Sequence, residues 1–207
     1  MTLRTAGESA HLLCCSEDRE IAALGFSLLT ELAEQDCYCA ILSMVYFYDR
    51  GGAVSPDRNA AKLWAARARA MHPHLVEAED LYDAGMKCMW EELFESTRED
   101  AIALWERAAR VGSGEALFAI CDATRNDSHR SQDWTKMLES AARLGSTQAM
   151  VELSEQPHVR GTPMEFVWLR AAVVLGSLRA TEILGTDEQG TAIDLNKLHW
   201  VWISVLV

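Results

Sequence analysis

Small side chains recur through this sequence at intervals of thirty-odd residues, and that recurrence restricts the fold more than any other feature. With Asp36, His72, Gly112, Gly145 and Gly176 taken as helix-ending positions, the intervals are 36, 40, 33 and 31 residues. Eight residues before each stands a large apolar side chain: Leu28, Trp64, Leu104, Met137 and Trp168. Four before stand Leu32, Ala68, Ala108, Ala141 and Ala172, and four after come Ala40, Val76, Ala116, Ala149 and Ala180. Small residues let antiparallel helices approach, and the large residues fill the grooves that this opens. Glycine at the anchor supplies the left-handed residue that ends a helix.

Eight and nine residues after the anchors come Met44-Val45, Asp80-Leu81, Ile120-Cys121, Leu153-Ser154 and Leu184-Gly185. Asp80 breaks the pattern, which puts the register of the third repeat in question. The clearest repeat contains Ala40, Met44-Val45, Tyr48, Gly51-Gly52-Ala53-Val54, Asp57, Ala61, Trp64, Ala68 and His72. These residues resemble the Sel1-like repeat, a relative of the tetratricopeptide repeat, whose pattern runs Ala, Leu-Gly, Tyr, Gly-x-Gly-Val, Asp, Ala, Trp, Ala-Ala and Gly. Val45, Ala53 and His72 stand where that pattern has glycine. The later repeats keep Ala108-Ala109 with Gly112 and Ala141-Ala142 with Gly145, without the glycine loop. The expectation is an all-α chain, a right-handed α-solenoid of five to six antiparallel helix pairs. One repeat domain would span 1–207, with repeats at 1–36, 37–72, 73–112, 113–145, 146–176 and 177–207.

The helices expected run as follows. A truncated first helix covers Glu8 to Cys15, with Cys14-Cys15 in core packing. A second, Asp18 to Gln35, carries Ile21, Leu24, Leu28, Leu29 and Leu32 on its buried stripe and is capped by Ser16 or Asp18. Cys37 to Asp49 and Pro56 to Met71 form the clearest pair. A long helix spans Leu75 to Leu93, its Met86, Met89, Trp90 and Phe94 available either to a partner or to the next helix. Arg98 to Val111, Gly114 to Thr124, Gln132 to Leu144, Thr147 to Glu155, Pro163 to Leu175 and Leu178 to Leu184 continue the alternation. Ile193 to Val207 forms a capping helix over the end of the stack, with Val201 to Val207 extended as the alternative.

Lys plus Arg number 19 and Asp plus Glu 31, a net charge of −12. That balance repels nucleic-acid phosphates and anionic headgroups and favours a basic partner. Met1 to Ser16 lacks the apolar core of a secretory signal, so a cytoplasmic protein is expected. The apolar run Trp200 to Val207 is far short of the ~20 residues of a membrane span. The cysteines, at 14, 15, 37, 39, 88 and 121, show no regular pairing and read as small buried hydrophobes. Cys37-x-Cys39 has no second ligand pair at metal spacing, and His72-Pro-His74 reads as a solvated turn, so no metal or cofactor is expected.

No Gly-rich phosphate loop, His-Glu-x-x-His or Gly-x-Ser-x-Gly motif occurs, and no catalytic residue is assigned. Resemblance to the repeat family implies instead an adaptor or scaffold whose concave face is lined by the first helix of each pair. In the register above, Tyr46, Asp49, Glu79, Asp83, Phe118, Asp122, Val151 and Glu155 point away from the core on that face. Aromatic and acidic side chains together suit a basic protein partner. The alternative is a bacterial immunity protein that covers the active site of a cognate secreted toxin.

Overall fold

The computed structural model describes residues 2–125 and 134–185, and every regular element among them is helical. The chain packs as two compact units, residues 1–111 and 112–207. The first contains α1 (Leu3–Cys14), α2 (Arg19–Glu34), α3 (Tyr38–Arg50), α4 (Arg58–Met71), α5 (Ala78–Trp90) and α6 (Arg98–Arg110), with 3-10 turns at His72–His74 and Glu92–Phe94. The second contains α7 (Gly114–Ala123), α8 (Trp134–Arg143), α9 (Thr147–Ser154), α10 (Pro163–Val174) and α11 (Leu178–Gly185).

The tight turns follow one local rule. A residue with positive φ ends one helix, and the next residue opens the following one. Asp36 (φ 57), Gly112 (φ 99), Gly145 (φ 96) and Gly176 (φ 89) occupy four of the five anchors. After Asp36, Gly145 and Gly176 the following amide reaches back to the last turn: Cys37 N–H to Leu32 O, Ser146 N–H to Ala141 O and Ser177 N–H to Ala172 O. Those bonds satisfy carbonyls that a helix end leaves orphaned. Ser113 and Ser146 then accept from Ala116 N–H and Ala149 N–H and so cap α7 and α9. Asp18 and Asp57 cap α2 and α4 in the same way, and Thr97 with Asp100 forms a reciprocal box at α6.

Ala40, Ala68, Ala108, Ala116, Ala141, Ala149, Ala172 and Ala180 are all 0% exposed. In the second unit they sit among Leu138, Leu153, Leu169 and Leu184, which fill the spaces that the small residues leave. A Cβ on Gly114 would lie 2.8 Å from the carbonyl oxygens of Ala141 and Leu144, so α7 starts against the end of α8 with no room for a side chain.

Several expectations need correction. Helix α1 starts at Leu3, because the Thr2 side chain caps it by accepting from Thr5 N–H. Cys14 is buried but Cys15 is exposed. Helix α2 buries Ala22, Gly25, Leu29 and Ala33, leaving Ile21, Leu24 and Leu28 exposed. A Cβ on Gly25 would stand 2.7 Å from Cys14 N, so backbone proximity to α1, not side-chain size, selects that face.

The third repeat differs most. His72 is right-handed and continues into the 3-10 turn, which delays α5 to Ala78. The register therefore slips by four residues: Glu77 opens α5 as Cys37 opens α3, and Ala84-Gly85 fall where Met44-Val45 stand in the pair before. Trp105 packs on Gly85 and donates its indole N–H to Tyr82 O at 3.2 Å. His72 is half-buried and no solvated turn residue. Its Nε2 lies 3.1 Å from the Tyr38 hydroxyl, its ring stacks on Phe94, and Arg107 donates to the carbonyls of His72 and Leu75. Phe94 is thus core, whereas Trp90 is 72% exposed. The expected capping helix at 193–207, and the break at Asn126-Asp127-Ser128, lie outside the described residues.

Two outcomes follow from these contacts. In Gly85→Ala the new methyl collides with the Trp105 indole. Urea denaturation followed by tryptophan fluorescence is expected to show a loss of about 1–3 kcal/mol, with the denaturant slope unchanged. Burial, helped by Arg107 and Arg69, lowers His72 from 6.5 to about 4. The unfolded chain therefore takes a proton below pH 6.5 that the native chain refuses, and stability falls as pH drops from 6.5 toward 4. After discounting for solvent at a half-buried ring, the loss is about 1–2 kcal/mol. His72→Gln is expected to flatten this part of the urea-midpoint profile, and an unchanged slope would mean that native His72 is already protonated.

Candidate functional site

The first helices of the three pairs in the first unit share one face. On α1 it presents Arg4, Glu8 and His11. On α3 it presents Cys39, Ser43 and Tyr46. On α5 it presents Glu79, Asp83 and, two turns on, Trp90. The face curves inward, because a side chain on α1 reaches carboxylates on α5. Arg4 Nη1 donates to Asp80 at 2.7 Å and Nη2 to Asp83 at 2.9 Å. Its Nε lies 2.8 Å from Glu79 and 3.0 Å from Glu8, ion contacts without an aligned hydrogen bond.

One guanidinium thus faces four carboxylates, so the patch keeps an excess of negative charge. Burial pulls the Arg4 pKa down, but Asp83 and Asp80 outweigh it and the group is held firmly protonated. Burial raises the Asp80 carboxyl, with Arg4 opposing. Asp80 stands where the other repeats place a buried alanine, a consequence of the four-residue slip.

Beside this patch lies a groove of about 290 Å³ lined by Glu8, His11, Leu12, Cys39 and Ser43. His11 Nδ1 lies 2.9 Å from Ser43 Oγ, and Ser43 donates its proton to Cys39 O at 2.9 Å. The hydroxyl has no second proton to give, so His11 is the donor to Ser43. A general base on a nucleophile requires the reverse assignment. Burial, then Lys87, lowers the His11 pKa and keeps the ring neutral near pH 7. Among the described residues no three His, Cys, Asp or Glu side chains are placed to hold a metal ion, and no helix is long and apolar enough to cross a membrane.

The residues singled out from the sequence are distributed as follows. Tyr46, Glu79 and Asp83 share the inner face of the first unit, Tyr46 at 47% exposure against the His11 ring. Asp49, at the end of α3, is half-buried and pairs with Arg50 at 3.2 Å. In the second unit Asp122 pairs with Arg125 at 3.4 Å and Glu155 with Arg179 at 2.7 Å. Phe118 packs half-buried against that unit's core. Val151 is a correction: it is 3% exposed inside the same core, because α9 is packed against α7, α8 and α10. Arg4, Glu8 and Asp80 were missed. The slip of the third repeat would have brought out Asp80, and Thr2 as a cap would have put Arg4 on a helix.

No protein-family model matches the chain, and no curated protein matches it. Solved structures do. A Sel1 repeat protein from Oxalobacter formigenes superposes with a TM-score of 0.62 at 18% identity, over 89% of this chain and 77% of that one. An immunity protein from Pseudomonas aeruginosa superposes at 0.59 with 15% identity, over 91% and 72%. A protective antigen present in uropathogenic Escherichia coli strains, displaying an SLR fold, superposes at 0.57 with 12% identity, over 89% of this chain and 40% of that one. At these identities the likeness is one of fold: the chain has the helical fold of the Sel1 repeat structures.

Proposed function

We propose that this chain is a non-catalytic protein-binding module, an adaptor or scaffold that takes a basic polypeptide on the inner face of its first unit. The Arg4 cluster carries this reading. It is an internal example of a guanidinium held by Glu8, Glu79, Asp80 and Asp83, and it leaves carboxylate charge unbalanced for a second cation. Tyr46 and Trp90 flank it as exposed aromatics of the kind that anchor interfaces. Asp49 and, on their own unit, Phe118, Asp122 and Glu155 belong to the same reading as peripheral contacts; Val151 does not.

A second reading has its own observation, the likeness to the Pseudomonas immunity protein. On that reading the basic partner is a cognate toxin whose active site the acidic face covers. The two readings differ in one measurable respect. Capture of the partner from the host followed by an activity assay separates a partner inhibited one-to-one from one that is merely tethered.

The acidic face itself is tested with charge variants and an arginine-rich peptide as probe. Glu79→Lys is expected to weaken binding about tenfold at low salt and to flatten its salt dependence, with helicity intact. Arg4→Gln removes the competing cation and is expected to strengthen binding by a similar factor. Equal affinity for wild type and both variants, measured by calorimetry at two ionic strengths, would move the site away from this face.

A further inference from the structure

We propose that Cys37 and Cys39 form a thiol–disulfide exchange site, a dithiol beside the inner groove that a low-molecular-weight disulfide converts to a Cys37–Cys39 bond. The two sulfurs lie 3.4 Å apart across the opening turn of α3, where Cys37 stands at the N-cap. Helix α1 is fitted to them. A Cβ on Gly7 would be 2.5 Å from Cys39 Sγ and 3.2 Å from Cys37 Sγ, so only glycine lets the α1 backbone cover both. The thiols also reach that backbone, Cys37 to Leu3 O at 3.2 Å and Cys39 to Arg4 O at 3.4 Å. On the other side Cys39 lines the groove of about 290 Å³, while Cys37 is 4% exposed.

The pair differs from the chain's buried single cysteines. Burial pushes the Cys14 and Cys121 thiols up to about 11 and raises Cys88 as well, which makes them poor nucleophiles. Cys37 moves the other way, down to about 7, because the Cys39 thiol donates to its thiolate. Cys39 is raised in turn for the same reason. Near neutral pH the pair therefore loses its first proton far more readily than an ordinary thiol.

The Cys37 thiolate acts as base for Cys39, the sulfur that faces the groove, and takes its proton across the 3.4 Å contact as that sulfur attacks. Cys39 Sγ attacks one sulfur of the small disulfide and expels the first thiolate, leaving a mixed disulfide. Cys37 loses its proton and attacks Cys39 Sγ, expelling the second thiolate. The two thiol protons end on the two released thiols, so one disulfide is reduced as one is formed. Closing the bond brings the sulfurs from 3.4 Å to about 2.05 Å. It also withdraws both S–H groups from the α1 carbonyls, so the redox state is felt at the helix that carries Arg4.

The test uses the full chain and oxidised glutathione, followed by alkylation and peptide mass mapping. The peptide holding Cys37, Tyr38 and Cys39 is expected to be lighter by two hydrogens and to resist alkylation until dithiothreitol is added. The rate should rise with pH up to about 7 and then level off, following Cys37. Cys37→Ser is expected to stop at a stable glutathione adduct on Cys39, and Cys39→Ser to give no internal bond. The proposal is overturned if wild type accumulates a lasting adduct on Cys39. It is equally overturned if Cys37 and Cys39 both alkylate fully under conditions that add glutathione to the exposed Cys15.

Discussion

Close approach of helix backbones is the constraint from which the other features follow. Two helices can come near enough to bury each other's backbone only where side chains are a methyl group or less, and alanine or glycine stands at such points in every pair. Large residues fill what the small ones leave open, Leu138, Leu153 and Leu169 in the second unit and Trp105 over Gly85 in the first. The tight turns add a second restriction. A positive φ at Asp36, Gly112, Gly145 or Gly176 redirects the chain within two residues, and a capping serine or cysteine position restarts it. Within each unit, loops this short leave antiparallel packing as the available arrangement.

The inner face of the first unit is a product of the same geometry. First helices of successive pairs line up because their partners occupy the other layer. Their curvature is what lets Arg4 on α1 reach Asp80 and Asp83 on α5. The face then combines fixed negative charge, two exposed aromatics and a shallow groove. On the same face the Ser43–His11 bond positions the imidazole without activating the hydroxyl.

Much of the architecture was legible in the sequence because it is written in local terms. Gly145-Ser146 and Gly176-Ser177 announce a helix end and a helix start, and Ala108, Ala141 and Ala172 mark close packing at the same offset from each anchor. What failed was whatever depends on tertiary distance. The size of Leu24 and Leu28 argues for burial, yet the approach of α1 at Gly25 puts small residues there instead. The local sequence at His72 indicates a solvated turn, since nothing adjacent to it reveals that Tyr38, Phe94 and Arg107 converge on it. The 3-10 turn after His72 shifted the third repeat by four residues and so hid both Gly85 and Asp80. At the site, Tyr46, Glu79 and Asp83 could be placed from periodicity within their helices. Arg4 could not be matched to its carboxylates, because that pairing joins residues nearly eighty positions apart.

The central claim is that side-chain volume at the backbone-contact positions, and not apolar character as such, holds the pairs together. Two alanines on α4 isolate it, Ala68, which is fully buried, and Ala66, which is exposed one turn-face away. Leucine at either position has similar helix propensity and hydrophobicity, so only the space differs. Equilibrium urea denaturation of Ala68→Leu is expected to show a loss of about 1–3 kcal/mol, with Ala66→Leu within about 0.5 kcal/mol of wild type. Equal stability for the two variants would contradict the account.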